Sequence, residues 1–96
     1  MTISAVITGN YTASVGELVR YDASAAPYTI QAPPSPSRGD EWAISEVGVS
    51  SGSVTIDGNG NNITSPSTMV VSSFVTTAPS AAIQWYYDGT VWRIRP

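Results

Sequence analysis

The sequence contains no cysteine, no histidine and no lysine, and only 11% of its 96 residues are charged. Without cysteine the chain has no disulfide framework and no thiolate chemistry, so its fold should not depend on the redox state of its compartment. Without histidine it also lacks the usual nucleophile–base pairs and zinc sites. We therefore predict a binding or structural protein with no catalytic residue, no cofactor and no metal site.

The few charged residues give a net charge of −3 and form no basic cluster. Binding to nucleic acid normally needs a clustered basic face, so we expect no nucleic-acid partner. The apolar stretch at residues 3–7 is interrupted and too short for a signal peptide or a membrane span. We therefore expect a protein that is made in the cytoplasm and has no membrane partner.

Long helical periodicity is also missing, whereas short segments rich in Val, Ile, Thr and aromatic residues recur between turn-forming residues. The predicted fold is all-β: a compact antiparallel β sandwich or barrel of about eight short strands that ends in a β-hairpin. One domain spans residues 1–96, with an N-terminal strand or arm at 1–16 and a β core at 17–96. A domain this small gains stability by self-association. The predicted strands cover residues 2–8, 17–22, 28–32, 41–47, 53–56, 68–77, 82–87 and 90–95.

Two turns are specified by their residues. Residues 57–62 combine Asp, Gly and Asn, which tolerate positive φ, and predict a hairpin or a short loop. Asp88-Gly89 lies between two apolar segments and predicts a tight hairpin. A two-residue loop there would bury one face of the hairpin, with the opposed pairs Tyr87–Thr90, Trp85–Trp92 and Ile83–Ile94. The other face carries Gln84, Tyr86, Val91, Arg93 and Arg95.

Two polar groups resemble functional sites. The only carboxylates close together in the sequence are those of Asp40, Glu41 and Glu46, and glycosidases use a carboxylate pair. Charged residues at the start of a strand are ordinary, however, so we predict no catalytic role for them. Residues 57–61 match the opening of a calcium loop. The match fails at the sixth and twelfth positions, Asn62 and Thr68, so a polar turn is the preferred interpretation.

The aromatic residues of the last hairpin could form a core, a subunit interface or a platform on which carbohydrate stacks. Trp85 and Trp92 are predicted to belong to the core. Tyr86 lies on the opposite face beside Arg93 and Arg95, so these three residues are the better candidates for contact with another chain.

Several of these segments follow one another in an order that resembles a β module of tailed-bacteriophage virion proteins. The order is an apolar strand at 28–32, a proline-rich connection at 33–37, Gly39-Asp40 before a strand at 41–48, a polar turn within 54–62, and the hairpin Tyr-Tyr-Asp-Gly-Thr-Val-Trp at 86–92. The resemblance covers roughly residues 17–95. Such modules occur in head-surface proteins, tail fibres and spikes, often as trimers.

The resemblance implies a viral structural protein. Because the module fills almost the whole sequence, it suits a capsid decoration, or cement, protein on the surface of the virion, which binds the major capsid protein and forms a homotrimer. The alternative is a tail-fibre or spike tip module that binds a host receptor or glycan. The predicted contact residues are Ile3, Val6 and Ile7, whose strand would add to the sheet edge of a neighbour, and Tyr86, Arg93 and Arg95.

Overall fold

The chain forms two β-sheets that enclose one hydrophobic core, in a computed structural model that describes residues 1–25, 27–47, 52–77 and 82–95. The described residues contain no α-helix, and a single turn of 3₁₀-helix at Ala23–Ala25 follows the third strand. This architecture confirms the predicted all-β sandwich. The strands are β1 Thr2–Ile3, β2 Tyr11–Thr12, β3 Glu17–Tyr21, β4 Tyr28–Gln31, β5 Glu41–Glu46, β6 Ser53–Asp57, β7 Asn62–Thr64, β8 Val70–Val71, β9 Ser73–Thr77, β10 Ile83–Tyr87 and β11 Val91–Ile94.

The larger sheet has the strand order β1-β3-β5-β10-β11-β7-β8, and the smaller sheet has the order β2-β4-β6-β9. The first six strands alternate between the two sheets. Because the chain visits the other sheet before it returns, β1, β3 and β5 are parallel to one another, and so are β2, β4 and β6. The predicted antiparallel pairing is therefore correct only for part of the fold: β5–β10, β10–β11, β6–β9 and β7–β8.

Two predicted strands are divided. The one at 2–8 pairs with β3 only over Thr2–Ile3, and Ile7 then forms an isolated bridge with Tyr21. Between them the Ser4 hydroxyl accepts the Arg20 N–H at 2.9 Å, so a side chain replaces a ladder carbonyl and interrupts the strand. The strand predicted at 68–77 is also divided, because β8 joins the larger sheet and β9 the smaller one.

The polar turn at 57–62 is a crossover between the sheets and not a hairpin, since β6 and β7 belong to different sheets. Asn59 and Gly60 have φ values of 55° and 87°, which confirms the predicted tolerance of positive φ. The Asn61 N–H donates to the Gly58 carbonyl at 3.2 Å and closes the turn. A Cβ atom at position 58 would collide with the Asn61 carbonyl, so the turn requires glycine there.

Three tryptophans fill the centre of the core. Trp42, Trp85 and Trp92 are each 0% exposed. The rings of Trp42 and Trp85 are stacked with their centroids 4.7 Å apart, and Trp92 meets Trp42 edge-on at 6.4 Å. Stacked and edge-on geometries are the favoured ones for aromatic pairs, and large rings contribute most to core burial. The prediction that Trp85 and Trp92 belong to the core is confirmed.

The register of the last hairpin differs from the predicted one. Trp85 lies opposite Ile94 and Tyr87 lies opposite Trp92, because Gly89 and Thr90, and not Asp88 and Gly89, form the two-residue loop. The Asp88 carboxylate accepts the Thr90 and Val91 N–H groups at 2.8 Å each and so makes Asp88 the closing residue of the turn. Each residue's partner changes by two positions, which leaves every side chain on its predicted face.

Candidate interaction site on the terminal hairpin

Tyr86, Arg93 and Arg95 meet on the solvent-facing side of the larger sheet, as the sequence predicts. Tyr86 pairs with Arg93 across the β10–β11 ladder, and with Glu41 across the β5–β10 ladder. Because side chains alternate along a strand, these residues share one face while Trp85 and Trp92 point to the core. We call this surface the hairpin face, and its residues are Glu41, Gln84, Tyr86, Asp88, Arg93 and Arg95.

An ion pair that spans β10 to reach Glu41 on β5 holds Arg95 in place. Its Nε lies 2.9 Å from Glu41 Oε2, and its guanidinium carbon lies 5.4 Å from the centre of the Tyr86 ring. The Gln84 side chain donates to the same Glu41 oxygen. The hydrogen bond from Arg95 is the main reason why the pKa of Glu41 is lowered, and the same contact raises the pKa of Arg95. Both charges are therefore maintained at neutral pH.

A second ion pair holds Arg93. Its Nε lies 2.9 Å from Asp88 Oδ2, while Asp88 Oδ1 accepts the backbone N–H groups of the turn. These hydrogen bonds, that of Arg93 first, hold the pKa of Asp88 well below its usual value. One carboxylate thus shapes the turn and positions a neighbouring arginine. The orientation of Arg93 consequently depends on the same residue that sets the hairpin register.

A shallow groove of about 520 Å³ runs beside these side chains. It forms where β7 ends and the chain turns away from β11, so part of β11 has no neighbouring strand on that side. The groove combines the ring and guanidinium on one wall with small polar and apolar side chains on the other. It is lined by Thr64, Pro66, Thr68, Tyr86, Arg93 and Ile94.

The predicted N-terminal contact residues lie elsewhere. Ile3 and Val6 are 61% and 43% exposed at the β1 edge of the larger sheet. Ile7 instead packs against the core, and its N–H donates to the Arg20 carbonyl at 2.9 Å. Strand β3 lies between this edge and β5, the strand that carries Glu41 of the hairpin face. The structure therefore brings together three of the six predicted contact residues and leaves the other three outside the hairpin face.

Glu41 and Glu46, two of the carboxylates considered for glycosidase chemistry, do not converge. Glu41 lies on the outer face of β5, and Glu46, five residues further along the same strand, points to the opposite face. No group of three acidic, His or Cys residues in the described ranges could hold a metal ion. Across the same ranges, no helix is long and apolar enough to span a membrane.

Glu41, Gln84 and Asp88 belong to the site but are not among the contact residues predicted from the sequence. Asp88 had a local signal, because an aspartate at the start of a turn commonly accepts the N–H groups that follow it. No local sequence pattern could have indicated Glu41, because its ion pair with Arg95 joins residues that are 54 positions apart. Only the pairing of β5 with β10 and β11 with β10 brings that carboxylate to the hairpin face.

No family model and no curated relative is available from which a role for the hairpin face could be transferred. The sequence matches no protein-family model, and no curated protein is significantly similar to it. A role for this face must therefore be argued from its own residues, and the resemblance to tailed-bacteriophage modules stays a prediction from the order of sequence segments.

Proposed function

We propose that the chain is a structural protein of a tailed-bacteriophage virion, a decoration protein that binds the outer surface of the capsid through the hairpin face. The observation that carries the proposal is that Tyr86, Arg93 and Arg95 are gathered on one partly exposed face, each held by an intramolecular contact. Tyrosine and arginine are the residue types that most often dominate the binding energy of protein interfaces.

Preorganisation is the physical reason why this face suits a protein partner. Immobilising a long side chain on binding costs about 0.5–1.5 kcal/mol, and the two arginines are already positioned by Asp88 and Glu41. Each guanidinium uses Nε–H in its ion pair and has further N–H groups that can donate to carbonyl or carboxylate oxygens of a partner. The adjacent groove offers room for one protruding side chain.

The position of Arg95 also favours a protein over a sugar. Carbohydrate recognition by an aromatic residue uses a ring face, and the Arg95 guanidinium, 5.4 Å from the ring centre, already occupies one of the two faces of Tyr86. The tail-tip alternative depends on such stacking. A capsid protein can instead contact the ring edge, the hydroxyl and the guanidinium together, so the decoration role is the preferred one.

The proposal can be tested by co-sedimentation with purified phage heads that were assembled without the protein. The wild-type chain should pellet with heads, and the double variant Tyr86→Ala, Arg93→Ala should bind at least about tenfold more weakly, because it removes two anchor side chains. Arg38→Ala is the matched control, since Arg38 is exposed and lies outside the hairpin face. It removes one positive charge and should bind like the wild type.

Two results would contradict the proposal. The first is that wild-type protein does not pellet with heads, and the second is that the double variant and the control bind equally well. If the wild type instead binds intact host cells or a glycan array, the tail-tip alternative is correct.

A further inference from the structure

The edges of both sheets are free of charged residues. Among the described strands, those with a single neighbour are β1, β2, β8 and β9, and none of them contains Asp, Glu, Lys or Arg. Charged residues within strands occur only in β3, β5, β6 and β11, which have neighbours on both sides. Proteins usually protect exposed edges with charged residues or proline. The described edge strands have neither charged residues nor proline for this protection.

The strand β9 is the longest of these edges, with five residues, Ser73–Thr77. The Gly58 N–H donates to the Ser72 carbonyl at 3.0 Å, which identifies Gly58–Ser72 as a hydrogen-bonded pair. Because such pairs alternate along an antiparallel ladder, Phe74 bonds to β6, whereas the backbone groups of Ser73, Val75 and Thr77 point away from it. These N–H and C=O groups face the side of the sheet on which no described strand lies.

Apolar surface accompanies this open backbone. Val75 is 59% exposed on β9, and Met69 is 63% exposed beside β8. A groove of about 510 Å³ separates the two edge strands, and no charged residue contributes to its walls. It is lined by Ser65, Pro66, Ser67, Met69, Val71, Phe74, Val75 and Thr76.

We infer that this edge binds a second copy of the chain, with β9 antiparallel to β9 of the copy about a two-fold axis at Val75. In this register Val75 lies opposite Val75 of the second copy, and Ser73 lies opposite Thr77. All of these positions direct their backbone groups outward, so each opposed pair can exchange two backbone hydrogen bonds. The two four-stranded sheets would become one continuous sheet, and the grooves would close against each other.

Charge and symmetry favour a second copy as the occupant. Each copy carries a net charge of −3, but the sequence has no charged residue between positions 58 and 87, so two copies can meet here without like charges in contact. A two-fold arrangement pairs the β9 edges with each other and closes the assembly. Addition of the β1 strand of another copy would leave an edge open at each end and would produce filaments. The sequence resemblance implies a trimer instead. The mass of the assembly in solution therefore distinguishes the two-fold dimer from a trimer.

Light scattering of the full chain in the absence of heads tests the inference independently of the proposed function. The wild type should have about twice the chain mass of 10.1 kDa. Val75→Lys and Val75→Glu should each be monomeric, because the two-fold axis places the like charges directly opposite each other, about 5.5 Å apart at the Cα atoms. An equimolar mixture of the two variants should restore the dimer, since the opposed charges then attract.

Thr55→Lys is the matched control. Thr55 is the β6 partner of Val75 on the same face of the sheet. The two introduced lysines would be roughly 14 Å apart, three strand spacings, which exceeds the screening length of about 10 Å at 0.1 M salt. This variant should therefore remain dimeric.

Hydrogen exchange provides a second measurement. The amides of Ser73, Val75 and Thr77 should exchange slowly in the wild type and at least tenfold faster in Val75→Lys, while the Phe74 amide, bonded to β6, keeps its protection. A wild type that is monomeric or trimeric overturns the inference. So does a Val75→Lys variant that stays dimeric, or a mixture of the two charge variants that stays monomeric.

Discussion

The central strands β5, β10 and β11 of the larger sheet and the edge strands β8 and β9 differ in both burial and charge. The centre contains the three fully buried tryptophans on one face and two ion pairs on the other. The edge exposes Met69 and Val75 and has no charged residue. The centre therefore combines a strong apolar core with a fixed polar surface, whereas the edge leaves apolar surface and backbone groups open.

In the arrangement that we infer, stability and self-association reside in separate parts of the molecule. Charged side chains on strands that already have two neighbours do not hinder another molecule from adding a strand at the sheet edge. Because the edge strands themselves carry no charge, such a strand can pair with them. Substitutions of buried residues at the centre should change the free energy of unfolding, and substitutions at the edge should change the oligomeric state. The following predictions test this separation, from the largest effect to the smallest.

Trp85→Ala should cause the largest loss of stability. It removes a fully buried ring that stacks on Trp42, and such truncations cost about 3–5 kcal/mol. Since small domains have a total stability of about 5–15 kcal/mol, urea denaturation should show a large fall in the unfolding midpoint. Tyr86→Ala changes the next residue, on the opposite face, and should cost less than about 1 kcal/mol. Equal losses for the two variants would contradict the assignment of faces.

Asp88→Asn should have a smaller effect that depends on pH. The folded chain holds the pKa of Asp88 below its value in the unfolded chain, mainly through Arg93, so its stabilisation is complete above about pH 4 and is lost as pH falls through the lower folded value. Melting temperatures of the two proteins should differ most at neutral pH and converge in strong acid. Because the pair is solvent-exposed, added salt should also reduce the difference. A difference that persists at low pH would contradict this account.

Ile3→Ser and Val6→Ser at the β1 edge should have the smallest effect on stability, within about 0.5 kcal/mol, because both side chains are exposed. Ile7→Ser provides the contrast, since Ile7 packs on the core and should cost more than either of them. Chemical denaturation of the three variants measures the order. If all three destabilise the fold equally, residues 3–7 act as one structural strand and the described break at Ser4 is wrong.

The local pattern of the sequence was sufficient for much of the fold. The strands β3, β4, β5, β6, β10 and β11 lie where alternating and β-branched residues predict them, within a residue or two at their ends. The two faces of the last hairpin follow from the period of two, and Tyr86, Arg93 and Arg95 share a face for that reason. The short strands β2 and β7 carry too few residues to show any periodicity.

The sequence by itself thus determined an all-β chain, its main strands, a polar turn at 57–62 whose residues tolerate positive φ, and the division of the hairpin into an apolar and a polar face. Only the tertiary structure decided which sheet each strand joins, that Trp85 stacks on Trp42, and that Glu41 holds Arg95. The physical reason is that a strand offers the same backbone hydrogen bonds to any neighbour, so its partners depend on side-chain packing between residues distant in the chain. Which strands become open edges follows from that packing as well, and no local pattern in β9 could reveal it.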